Sequence, residues 1–147
     1  MAVSGIELIP GASLSASGLS AERARMEISA NNLANVHSTR GPNGSVYQRK
    51  VAVFSAVFND SLDRNRITDN LGGVELEEVA TSRNPNQKVF MPFHPDADGE
   101  GLVEMPNVKP IEEMVDMITA TRAYEANLSV MKQSKEMAEK TITMTKQ

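Results

Sequence analysis

A chain of 147 residues is enough for one domain of ordinary size. Its hydrophobic fraction of 40%, with two Tyr, four Phe and no Trp but nine Met, puts the apolar side chains into helix seams and leaves little for a thick core. A net charge of −4, from 15 basic and 19 acidic groups, gives no electrostatic basis for a nucleic-acid or anionic-membrane partner, and the absence of cysteine excludes disulfides and thiolate metal sites.

At the start of the chain no Lys or Arg precedes Arg23, and Glu7, Pro10 and Gly11 interrupt the apolar residues. The segment therefore does not read as a cleavable secretory signal, and no run anywhere reaches the roughly 20 apolar residues of a membrane span. Residues 1–11 are expected to be irregular. From Ala12 to Asn35 the periodicity turns helical: Ala12, Leu19, Met26 and Leu33 fall seven apart, beside a second row of Leu14, Ala21 and Ile28. Ser13 or Ser15 is a candidate cap, and Asn35 with the stretch to Gly41 supplies the stop.

The pattern then changes to short extended pieces. Val51, Val53, Ser55 and Val57 alternate with Ala52, Phe54 and Ala56, predicting a strand from Tyr47 to Phe58. Val74 to Val79 and Lys88 to Phe93 are further strand candidates, separated by turn signals at Asn43-Gly44, Gly72-Gly73, Asn84-Pro85, His94-Pro95 and Gly99 to Gly101. Residues 67–110 carry three basic and eight acidic groups, so this β-rich insert with much loop is also the acidic part of the chain. An ordinary solvated surface accounts for that charge; complementary faces between neighbours would use it.

Pro110 opens the strongest signal, a helix running to about Thr145 without Gly or another Pro and reaching roughly 50 Å. Its heptad seam is written as Met114 and Met117, Thr121 and Tyr124, Leu128 and Met131, Lys135 and Ala138, Ile142 and Thr145, widened at the start by Ile111, Val115 and Ile118. Glu112, Glu113 and Asp116 near its start and Lys132, Lys135, Lys140 and Lys146 toward its end follow the helix dipole. A helix this long does not bury its stripe on itself. The first helix is the obvious partner, which predicts a mainly α fold. Long terminal helices pair as an antiparallel coiled-coil-like hairpin (1–40 with 108–147), a β-rich insert fills 41–107, and part of the stripe is left for other subunits.

Chemistry finds little support. His37 and His94, the two histidines, have no nearby carboxylate and hydroxyl to form a nucleophile with its base. Asp96, Asp98 and Glu100 miss a calcium loop, because glycine falls at the fourth position and no terminal Glu fits. Gly99-Glu100-Gly101 lacks the third glycine of a dinucleotide fingerprint. The N-x-S/T triplets at Asn43, Asn59 and Asn127 are expected by chance. No catalytic, metal or cofactor residue is assigned.

One motif stands out: Ser17-Gly18-Leu19-Ser20-Ala21-Glu22-Arg23, then Ile28-Ser29-Ala30-Asn31-Asn32-Leu33-Ala34-Asn35, then Ser38-Thr39. Asn favours caps and turns over helix interiors, so three of them beside an apolar row read either as a polar helix end or as an amide ladder that fixes the stop and contacts neighbours. Here the chain resembles the flagellar rod and hook protein family, whose signature holds the same Asn-Asn-Leu-Ala-Asn core. Arg40 to Gly44, Tyr47-Gln48-Arg49-Lys50, His94 to Asp98, Met105-Pro106-Asn107-Val108 and the stretch Glu112 to Lys140, with Arg122 to Asn127 inside it, extend the likeness, within that family to its proximal rod members, over nearly the whole chain.

The resemblance implies a structural subunit of the basal-body proximal rod, without catalysis. Such a subunit is exported by the flagellar type III apparatus with no signal cleavage and polymerises in the periplasmic rod with copies of itself and other rod subunits. The product is a hollow axial tube that transmits torque. The assembly interface is then expected on Leu14, Leu19, Met26, Ile28, Asn31, Asn32, Leu33, Ala34 and Asn35 of the first helix. On the last helix it is expected on Met114, Met117, Ile118, Tyr124, Asn127, Leu128, Met131, Ala138 and Ile142. Val36-His37-Ser38 departs from the small polar residues usual after that motif. From the residues alone, a small helical protein-binding module or secretion adaptor is the competing reading.

Overall fold

The computed structural model describes residues 10–41, 44–57 and 72–145. In chain order the elements are α1 (Pro10–Ala34), β1 (Lys50–Ala56), β2 (Val74–Thr81), β3 (Gln87–Phe90), β4 (Leu102–Met105) and α2 (Pro110–Thr145). The fold is mainly helical, with β1 and β2 forming one two-stranded sheet and β3 and β4 another.

Both helices open on a proline, whose fixed φ suits the first helical position and whose missing N–H costs nothing there. For α1 this corrects the expected start at Ala12. Pro10 and Gly11 are helical, Ser13 and Ser15 lie inside the helix instead of capping it, and Ser15 is buried. The expectation for residues 1–9 lies outside the described residues. The helix ends at Ala34, where Asn35 N–H still reaches the carbonyls of Asn31 and Asn32 at 3.2 and 3.1 Å before the chain turns. α2 has the expected bounds, with Glu112 and Glu113 in its first turn.

The predicted strand from Tyr47 narrows to Lys50–Ala56, with Phe58 outside the described residues. At its start the N–H of Arg49 donates to Asn107 Oδ1 and that of Lys50 to Asn32 Oδ1. Residues 51–55 are all half-buried, so burial does not set one face of the strand apart from the other. β3 stops at Phe90 because the backbone reverses at Met91, whose carbonyl accepts from His94 N–H at 3.0 Å. β4 carried no strand signal of its own. It pairs antiparallel with β3, from Gln87 opposite Met105 to Phe90 opposite Leu102, and buries Val103.

The chain clusters into two compact units. One comprises Met1–Ala24, Phe54–Glu77 and Ala120–Gln147; among its described residues Ser15, Leu19, Ala21 and Ala120 are buried. In it, a Cβ placed on Gly11 would lie 4.0 Å from Ser134 Oγ, and one on Gly18 only 2.9 Å from Asn127 Nδ2. The other comprises Arg25–Val53 and Glu78–Thr119, with Ser29, Asn32, Val103, Val108 and Glu113 buried. Among the described residues neither unit holds a fully buried aromatic.

Along α2 the buried and half-buried row is Glu113, Met117, Ala120, Tyr124, Asn127, Met131, Ser134 and Ala138, with Ala123 and Leu128 beside it. These steps of four and three are the heptad spacing. Met117, Tyr124, Met131 and Ala138 match the predicted seam, but the second row sits one residue earlier than Met114, Thr121, Leu128 and Lys135. The reason is chemical: that row is Glu, Ala, Asn and Ser, small or polar, so a reading guided by hydrophobicity is drawn to its neighbours.

Candidate functional site

The second unit is organised around Asn32, which is 1% exposed although it stands in the last turns of α1. An amide offers two donor hydrogens and a two-lone-pair acceptor. Here its Nδ2 donates to the Lys50 carbonyl at 2.9 Å and to Glu113 Oε2 at 3.0 Å, while its Oδ1 accepts from Lys50 N–H at 2.9 Å and from the Tyr47 hydroxyl at 2.8 Å. By pairing with both backbone groups of Lys50, the side chain acts as a strand partner for the first residue of β1. It thereby ties a helix to a strand without any backbone ladder between them.

Glu113, in the first turn of α2, is fully buried. One carboxylate oxygen accepts from Asn32 and the other from the Arg49 guanidinium Nε, whose Nη2 lies 3.5 Å from Asp116. A buried carboxylate is tolerable only when paired and hydrogen-bonded in this way, and stripping away its partner leaves an uncompensated charge worth about 3–5 kcal/mol. The Tyr47 hydroxyl is pushed above its ordinary pKa of 10.0, first by burial and then by the negative charge of Glu113. It therefore stays protonated and keeps donating to Asn32. Farther out, Asn107 accepts from Arg49 N–H at 2.7 Å and donates to the Asn84 carbonyl at 2.8 Å, fastening the residues before α2 to the same cluster.

The other two asparagines of the motif act locally. Asn35 Nδ2 donates to the carbonyl and to Oδ1 of Asn31, and Ser38 Oγ donates to Asn35 Oδ1 at 3.1 Å. The amide ladder thus divides in two: Asn31 and Asn35 close the helix end, and Asn32 reaches across the unit. Beyond it, Asp96 accepts from Thr39 at 2.8 Å and pairs with Arg40 at 3.0 Å, fixing the loop after α1.

Of the residues expected at the assembly interface, Leu19 and Asn32 are buried within the chain. Met26, Ile28, Leu33, Asn35, Met117, Tyr124, Asn127, Leu128, Met131 and Ala138 are half-buried, and Leu14, Asn31, Ala34, Met114, Ile118 and Ile142 are exposed. Sequence reasoning missed Tyr47, Arg49, Lys50, Asn107 and Glu113 as one cluster. All five lie in the stretches that carry the family resemblance, and that was the available signal. Glu113 was read only as a helix-dipole residue. Among the described residues no group of three or more His, Asp or Glu is placed to hold a metal, and no helix is long and apolar enough to cross a membrane. The arrangement offers no nucleophile or acid–base pair in a cavity; it joins chain segments.

Residues 14–42 match the family model described as flagella basal body rod protein, and residues 100–144 match that of the flagellar basal body rod FlgEFG protein C-terminal region. The flagellar basal-body rod protein FlgC of Borreliella burgdorferi is 36% identical over 140 residues, covering 88% of this chain and 92% of its own. That of Bacillus subtilis is 36% identical, covering 90% and 95%, and that of Aquifex aeolicus is 43% identical, covering 87% and 90%.

Proposed function

Since this chain belongs to the FlgC family of flagellar basal-body rod proteins, we propose that it works by polymerising, each copy pairing its own α1 and α2 and offering the outward face of α2 to neighbouring rod subunits. It is a structural subunit of the flagellar basal body and, like its family, not an enzyme. On our reading the terminal helices, 1–40 and 108–147, make an antiparallel coiled-coil-like hairpin that builds a hollow axial tube, and the insert, 41–107, lies outside it. The subunit reaches the periplasmic rod through the flagellar export apparatus without signal cleavage, and the finished tube transmits torque.

Two contacts support the antiparallel pairing. Gly11 approaches Ser134 and Gly18 approaches Asn127, so a step of seven residues forward on α1 answers one of seven back on α2. The observation that carries the polymerisation reading is the row Ile111, Met114, Val115 and Ile118, 73%, 44%, 55% and 57% exposed and spaced as one helical face. It lies on the turns of α2 that also hold buried Glu113, so the helix has a satisfied face and an unsatisfied one.

The test replaces Met114 and Ile118 together by Asp. Both side chains are exposed in the single chain, so its circular dichroism and melting temperature in dilute solution should stay within experimental scatter while incorporation into isolated basal bodies is abolished. Normal basal bodies containing the double variant would refute the packing.

A further inference from the structure

The outer face of α1 and the start of β2 enclose an open groove of about 620 Å³. Along it run Ser13, Ser17, Ser20 and Ala24 of α1, spaced by four, three and four residues, a single helical face about 17 Å long. The other wall holds Val57, Val74 and Leu76, and Leu14 and Val74 are 40% and 41% exposed. Ser17 Oγ donates to the Leu14 carbonyl at 2.8 Å and accepts from Val74 N–H at 3.2 Å, which fastens the walls to each other. A Cβ on Gly73 would lie 2.5 Å from that Oγ, so glycine is what lets the chain come so close. Glu75 is the only charged residue lining the groove. Small side chains at heptad spacing leave room for larger ones from another helix.

The end of α2 carries such side chains. In the antiparallel pairing proposed above Gly11 answers Ser134, so Glu136 to Thr145 run about 15 Å past the described start of α1. On this overhang Met137 and Met144, seven residues apart, are 69% and 78% exposed. Their unbranched side chains adapt readily to a groove walled by Ser, Ala and Gly. Lys140, the one base between Glu136 and Thr145, stands between them on the same face. Lys140 and Glu75 are both exposed, and neither has an ion pair among the described residues.

We propose that the α2 overhang of one copy lies in the groove of a second copy, antiparallel to its α1, with Met137 at Ser20, Met144 at Ser13 and Lys140 meeting Glu75. The charges name the occupant, because the one acid of the groove meets the one base of the overhang, set between its two apolar side chains. The spacing agrees, since seven residues forward on α2 answer seven back on α1. This rests on the rod reading and adds to it a contact separate from the Met114 and Ile118 face. Groove and overhang are different patches of one chain, so the contact is heterologous and repeats from copy to copy, as an open helical polymer requires.

The chain has no cysteine, so one cysteine per copy reports only contacts between molecules. Full-length copies carrying Ser20→Cys and Met137→Cys are expressed together in cells lacking the native chain. Basal bodies are isolated and shown to contain both, and the disulfides formed under mild oxidation are mapped by mass spectrometry. The expected product has twice the chain mass and joins position 20 to position 137. Copies with Ser13→Cys and Met144→Cys should join likewise, and this pair decides the matter if the first does not enter basal bodies. Lys140→Glu in the Met137→Cys copy should lower the yield about fivefold, and Glu75→Lys in the Ser20→Cys copy should restore it. With both copies incorporated, a disulfide between like positions, one to another protein, or none overturns the proposal and leaves the rod reading intact. Basal bodies that assemble in cells without the chain overturn both.

Discussion

Asn32 uses every hydrogen-bonding group of its side chain, and two of its four bonds require it to donate. Aspartate has nearly the same shape but no donor, so Asn32→Asp would orphan the Lys50 carbonyl and set a second carboxylate against Glu113 Oε2, now 3.0 Å away. We expect a loss of about 3–5 kcal/mol, read as a lower urea midpoint of the purified chain. Asn31 sits two helix faces away in character though adjacent in sequence: it is exposed, and its contacts are to Asn35. Asn31→Ala should therefore shift the midpoint by under about 0.5 kcal/mol. The sequence marks this whole motif as unusual. It does not say which amide is buried, because that depends on Lys50 and Glu113, 18 and 81 residues away.

In the proposed pairing the helices meet through small and polar residues where apolar ones were expected. At Gly18 a Cβ would lie 2.9 Å from Asn127 Nδ2 and 3.4 Å from its Cγ, so the side chain of Asn127 occupies the space that glycine leaves. Glycine inside a helix costs about 1 kcal/mol relative to alanine, and here that cost permits close approach. Gly18→Leu should destabilise the isolated chain by about 1–3 kcal/mol through overpacking, and Asn127→Ala in the same chain should recover about half of the loss. Strictly additive effects in a double-mutant cycle would count against this contact. The same chemistry explains the one-residue offset along α2. The periodicity located the helix and its approximate seam, but it is Ala120 that is buried and Asn127 and Ser134 that are half-buried; in the proposed pairing their smallness fits the opposing surface, a property of the pair and not of either helix.

In the single chain the apolar residues at the two ends of α2 stay largely in water. Ile111 and Ile118 are exposed at one end and Met137, Ile142 and Met144 at the other, and few side chains among the described residues of either unit are fully buried. Helices so thinly covered are marginal alone and gain order from neighbours. Amide exchange of the dilute chain should therefore be slowest around Asn32 and Glu113 and fast over 130–145, and should slow by at least about tenfold over 130–145 in assembled rods. Uniform strong protection of the dilute chain would show that assembly adds no order.

Residue order alone fixed the two long helices, the β-rich middle and the family, since periodicity, prolines and motif residues are local properties. Tertiary structure decided which asparagine is buried, that β4 exists by pairing with β3, that Glu113 is an internal anchor of Arg49 as well as a dipole residue, and which row of α2 faces inward. Each of these depends on a partner distant in sequence, and hydrogen-bond satisfaction and close packing become definite only once both partners are in place.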